Sequence, residues 1–356
     1  MNNFIESSQI RIAFGIPFDS LDFHELLVAV GELAASGKKH FIFAASFPWI
    51  LEYGRNPLNR LNETDIFIAA DSNIIGLAEK LGQTIKMPIE YFEFPEQIAL
   101  ICAHYGFRLL HVSSTALKTD ILVRDGYVPL SWDLFTNFKI SDCLDEKHKD
   151  SIISSAVSSK PDIILISASP DNLRTYIPEI HKNIPNCLLI CTPKDETRST
   201  LSDRIRNIIS PLILARQETC LLRHMTESCA NSIQSSVSYD DKSEQSVIRV
   251  SGVLSSRVVS DLRRIGKKVF RTGKNLELDL SSTTAVSIKG LEEIFYLHRL
   301  FKNAGKKFFI REISPEALTL FHQSGIASFF DNIPGIADDM DIENMDIDTI
   351  DINDQN

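Results

Sequence analysis

The sequence predicts an α/β chain in two units: a mostly parallel sheet covered by helices on both faces, then a smaller α/β unit. Three observations predict it. From residue 10 to about 225, short and nearly continuous apolar runs alternate with helical patterns. A Ser-rich stretch poor in large apolar residues follows at 226–244 and reads as a linker. A second strand–helix alternation then fits within 245–331. Alternation of this kind builds parallel sheets, and continuous apolar runs suit strands buried on both sides.

In chain order the strand-like runs of the first unit are 11–14, 40–45, 66–70, 108–112, 162–167 and 187–191. Between them, stretches such as 22–35, 96–104 and 149–159 space apolar residues three and four apart, as helices do. In the second unit, 246–250, 276–280 and 308–313 read as strands. Val258, Leu262, Ile265 and Val269 fall on one face of a helix over 257–271, capped by Ser255 or Ser256. A second helix over 291–304 ends at Gly305, and Ser314-Pro315-Glu316 opens a third.

The chain has 356 residues, 44% of them hydrophobic, and a net charge of −10. The charge is uneven. Residues 332–356 carry eight Asp and Glu and no Lys or Arg, which leaves −2 for the rest, and this segment reads as an acidic, disordered tail. A nearly neutral body gives no electrostatic footing for nucleic acid. No stretch reaches the roughly 20 apolar residues of a spanning helix. The polar start MNNFIESSQ lacks a signal pattern. The expectation is a cytoplasmic protein. Six cysteines, Cys102, Cys143, Cys187, Cys191, Cys220 and Cys229, form no CxxC pair and have no His at metal-site spacing. They read as small hydrophobes or idle thiols, and neither metal nor cofactor is expected.

The second unit resembles the STAS family, the fold of anti-anti-sigma factors and of sulfate-transporter cytoplasmic domains. Gly252-Val253-Leu254, Leu278-Asp279-Leu280-Ser281, Gly290-Leu291 and Gln323-Ser324-Gly325-Ile326 carry the resemblance by order and spacing. It implies a module that binds a protein partner and is switched by phosphorylation next to Gly290. Here the switch loop reads Ser287, Ile288, Lys289. Lysine cannot take that phosphate. A fixed positive charge stands where a dianion would sit at a helix N-terminus. Lys289 reads either as a solvated loop lysine or as a charge that fixes one partner state.

The first unit resembles the TagA/WecG/CpsF glycosyltransferases, with a Rossmann-like sheet. Four segments align in order: Phe14-Gly15-Ile16-Pro17-Phe18-Asp19, residues 65–82, Lys160-Pro161-Asp162 with the following run, and residues 212–224. The resemblance implies transfer of an N-acetylmannosamine-type sugar from a UDP donor to a polyprenyl-linked acceptor in bacterial envelope polysaccharide synthesis. Asp71 matches a candidate base, and Arg216 and Arg223 match candidate diphosphate contacts. Asp71 reads equally as a strand-end or helix-cap residue, and the arginines as solvated. Beside Ile213, Leu214, Leu221 and Leu222, the arginines would also suit contact with the inner membrane surface. Other family positions hold Ala44, Ser46, Ser72, Ser113, Ser114, Asn172 and Leu173, which thins the polar set. Trp49, Trp132 and Tyr91 read as core or rim aromatics.

Two functions follow as expectations. One is a regulatory or scaffolding pseudoenzyme with a STAS interaction module. The alternative is an active UDP-sugar transferase that uses the STAS module for docking.

Overall fold

The computed structural model describes residues 9–47, 49–50, 65–86, 94–113, 135–139, 146–168, 177, 179–180, 182–184, 186–193, 201–230, 235–241, 245–330 and 333. The acidic tail apart from Ile333, and Tyr91, Trp132, Cys143, Ser114, Asn172 and Leu173, lie outside them.

The chain opens with a hairpin of β1 (Ile10–Ala13) and β2 (Ile16–Asp19). Phe14 and Gly15 turn it with φ of 56° and 77°. Two successive positive φ values are the mark of the hairpin turn that matches strand twist. The run 11–14, read as a strand of the large sheet, is corrected here: it returns on itself after four residues, whereas a parallel partner needs a long crossover.

The parallel sheet comprises β3 (His40–Ala45), β4 (Ile66–Ala69), β5 (Leu109–Ser113), β6 (Phe135–Lys139), β7 (Ile163–Ala168) and β8 (Leu188–Pro193), in the order β4-β3-β8-β7-β5-β6. Every pairing in it is parallel. Helices α1 (Phe23–Ala35), α2 (Ser72–Lys80), α3 (Phe94–Tyr105) and α4 (Glu146–Ser159) lie between the strands in sequence. Asp22 and Glu25 form a reciprocal capping box that starts α1.

Strand alternation separates two cores. Ile42, Ala44, Ile66, Ile68, Leu165 and Ile190 face one side, packing with Leu26, Val30 and Leu33 of α1 and Ile98 and Cys102 of α3. Phe41, Phe43, Phe67, Leu110, Ile164 and Leu189 face the other side. That second core continues into the carboxyl-terminal unit.

A long helix, α5 (Leu201–Ala230), leads out of the parallel sheet. Its buried stripe is Leu214, Glu218 and Met225, with Leu221 packed against the core. The smaller unit follows as β9 (Ser236–Asp241), β10 (Gln245–Leu254), α6 (Ser256–Arg271), β11 (Asn275–Val286), α7 (Ile288–Asn303), β12 (Phe308–Ile313), α8 (Pro315–Gln323) and a 3-10 turn over Ile326–Phe329. Its sheet order is β12-β11-β10-β9, with β9 antiparallel at the edge and the rest parallel. The stretch 226–244, read as a linker, thus carries the last turn of α5 and a strand. Only Val237 and Tyr239 of β9 face inward, so the strand is compositionally polar.

Candidate functional site

Two places gather the residues singled out by sequence, and a third emerges only in the fold. The first is the carboxyl edge of the parallel sheet, where α/β folds bind ligands. There β5 leads outward to β6 and β7 leads the other way to β8, so the connections diverge between neighbouring strands. Ser113 and Ser167 sit opposite each other at that divergence, and Ser167 shares a hydrogen bond of 2.9 Å with Thr192. Ser46 is buried at the end of β3, and its hydroxyl has no partner among the described residues.

Asp71 stands at the end of β4 and caps α2. One carboxylate oxygen accepts the Asn73 N–H and side-chain amide, each at 2.9 Å. The other accepts the Phe47 N–H at 3.0 Å. These bonds tie β3, β4 and α2 together at the sheet's edge. Arg216 and Arg223 lie exposed on α5, and Arg223 pairs with Glu227 one turn on at 2.8 Å. Among the described residues no hydrogen bond or ion pair joins Asp71 to either arginine. Trp49 is buried against Phe43, their ring centroids 4.6 Å apart, as a core aromatic.

The second place is the loop before α7. Ser287 is the N-cap: its hydroxyl accepts the Gly290 N–H at 3.1 Å and donates to the Leu254 carbonyl at 2.9 Å. The glycine is required by packing, because a Cβ at 290 would stand 2.6 Å from that same carbonyl. Ile288 and Lys289 form the first turn. Lys289 is exposed and makes no ion pair with a described residue.

The third place was not read from sequence. It is the join between the two units, where the hairpin lies against α7. The Glu292 carboxylate accepts the Ile12 N–H and an Arg11 N–H, both at 3.3 Å. Asp19 meets Arg299, and Glu218 of α5 accepts the Phe14 N–H at 3.2 Å. Phe67 of the sheet stacks edge-on against Phe329, centroids 5.5 Å apart. Burial pushes the carboxyls of Asp19, Glu292 and Glu293 upward, opposed in turn by Arg299, Arg11 and Arg263. One signal was available in the sequence. Glu218 interrupts the apolar stripe of Leu214, Leu221 and Met225, where a charge needs a buried partner.

The basic run on and after α6 is largely partnered within the unit. Arg263 pairs with Glu293, Arg264 with Asp261 and Lys274 with Asp241. Lys268 lies over Tyr239 and Lys267 over Tyr296.

The smaller unit is thus a four-stranded sheet with a serine-capped helix start after its central strand β11. A family model described as "Mlab, STAS domain" matches residues 237–331, so the carboxyl-terminal unit is a STAS domain beginning with β9. No curated protein matches the chain. No helix among the described residues is long and apolar enough to cross a membrane.

Proposed function

We propose that this is a regulatory or scaffolding protein whose STAS domain holds a protein partner in one fixed state rather than through a phosphorylation cycle. The observation that carries this reading is Lys289, exposed and unpaired among the described residues in the first turn of α7. It occupies the position where the family's resemblance implies a phosphate acceptor. Ser287, two residues before it, is spent on capping. In the protein isolated from cells, Ser287 should be unmodified by mass spectrometry. A photo-cross-linker at position 289 should capture a partner. Phosphate found on Ser287 would overturn the reading.

We further propose that residues 10–225 are a divergent TagA/WecG/CpsF-type fold with most of its chemistry lost, joined to STAS at 245–331 extended back to β9. The acidic segment 332–356 serves as a tail. This assembly would act in the cytoplasm beside the inner membrane, in envelope polysaccharide synthesis. The commitment of both Asp71 oxygens to backbone and cap bonds supports the loss. The row of Ser46, Ser113, Ser167 and Thr192 at the divergence of the sheet favours the second reading, an active UDP-sugar transferase. Calorimetry with UDP-N-acetylglucosamine and UDP-N-acetylmannosamine separates them. The first reading expects no saturable binding. Micromolar binding that vanishes in Asp71→Asn supports the transferase.

A further inference from the structure

A cleft of about 390 Å³ opens beside the switch loop, between the edge of β1 and the first two turns of α6 and α7. Its volume falls in the range of small-molecule sites. Both units build it: Arg11 comes from the hairpin, Ser256 and Arg263 from α6, and Lys289, Glu292 and Glu293 from α7. Most of its charges are already matched. Arg11 pairs with Glu292, and Arg263 holds one oxygen of Glu293 at 2.6 Å.

Two groups are left over, of opposite sign. The other oxygen of Glu293 has no hydrogen-bond partner among the described residues, although the side chain is only 1% exposed. A buried carboxylate oxygen without a donor is costly and uncommon in folded proteins. Lys289 supplies the second group, an ammonium that makes no hydrogen bond or ion pair with a described residue and acts on Glu292 only through its charge. The two residues lie four apart on α7, on one face and about one turn from each other. They do not neutralise each other, because Glu293 is drawn to Arg263 across the helix pair. The Lys289 end also lies at the first turns of both helices, where the N-terminal dipoles favour an anion. The Glu293 end offers a buried acceptor.

We infer that this cleft binds a small zwitterion, its ammonium donating to the free Glu293 oxygen and its anionic group resting against Lys289 and the start of α6. Phosphate and ammonium separated by two carbons span roughly one helical turn of about 5 Å, which an α-amino acid does not. Phosphoethanolamine is therefore the probe, with ethanolamine and inorganic phosphate as its two halves.

The test is calorimetry on the full chain, with melting curves as a check on folding. Phosphoethanolamine should bind saturably and at least tenfold more tightly than either half. Lys289→Met is an exposed change and should leave the melting temperature in place. It should weaken phosphoethanolamine at least tenfold, while Glu293→Gln should weaken ethanolamine and phosphoethanolamine together. Phosphate binding as tightly as phosphoethanolamine would show a simple anion site and overturn the inference. So would the absence of saturation up to about 10 mM, or a Lys289→Met variant that binds like wild type.

Discussion

Arg299 of α7 reaches Asp19 at the end of the opening hairpin, one guanidinium nitrogen lying 2.6 and 2.7 Å from the two carboxylate oxygens. Arg299 is 4% exposed and Asp19 is fully buried, and the Phe67 N–H completes the aspartate's bonding at 2.9 Å. One carboxylate thus ties the hairpin, the edge strand of the parallel sheet and the STAS domain together. Removing either charge strands the other in the core, at a cost of about 3–5 kcal/mol. Urea unfolding of Asp19→Ala and Arg299→Ala should show losses of that size. The joint variant Asp19→Leu with Arg299→Met should lose far less than the sum. Additive losses would mean that the pair is not coupled.

Two glycine replacements should move stability in opposite directions. Gly290→Ala drives a methyl into the Leu254 carbonyl and should cost about 1–3 kcal/mol. Gly76→Ala lies in α2 with nothing within 4 Å of the added Cβ, and should gain up to about 1 kcal/mol. Thermal melts of the two variants check both signs.

The thiols should sort by burial. Burial pushes the Cys187 thiol up to about 12 and raises those of Cys102 and Cys191 well above the ordinary range. Reactivity requires the thiolate, so these three should resist iodoacetamide until the chain unfolds. Cys220 is exposed and should be alkylated at once. Peptide mapping after brief labelling reads the order directly.

Glu292 predicts a pH dependence. Burial raises its pKa in the fold, with Arg11 and the Ile12 N–H pulling against it. A raised folded pKa means that the folded state binds the proton more readily than the unfolded chain. The glutamate's cost is therefore full at neutral pH and relieved as pH falls toward the ordinary carboxylate range. Relative to Glu292→Gln, the wild type should gain stability as pH falls from 7 to 4. A constant difference across that range would count against a raised value.

Ser287→Ala should cost about 0.5–2 kcal/mol by removing the N-cap of α7, while Ser287→Asp should restore most of it. Equal stability of the alanine and wild-type chains by urea unfolding would mean that the hydroxyl does not cap.

The six strands of the parallel sheet are unequal in how plainly the sequence shows them. His40–Ala45 and Ile163–Ala168 are apolar from end to end because both faces are covered, and a run of that kind reads as a strand without other help. The hairpin is different. It depends on a left-handed Phe14, which no local preference favours, and that residue is held by a buried ring and by Glu218. β9 hides among serines because an edge strand needs few apolar side chains. At the sites, Ser287 and Asp71 could be placed from their neighbours in sequence, since caps are local. Asp19 and Arg299 could not, because 280 positions separate them and only the fold brings them together.

Gly15 at the hairpin tip and Gly325 before the final turn face each other so closely that a Cβ on Gly325 would stand 3.1 Å from the Gly15 Cα. Gly325 also has a φ of 75°, which disfavours any side chain there. Bare backbone therefore touches bare backbone across the join. A single methyl group placed there would act as a wedge between the two units. Gly325 therefore cannot gain a side chain unless the two backbones first move apart.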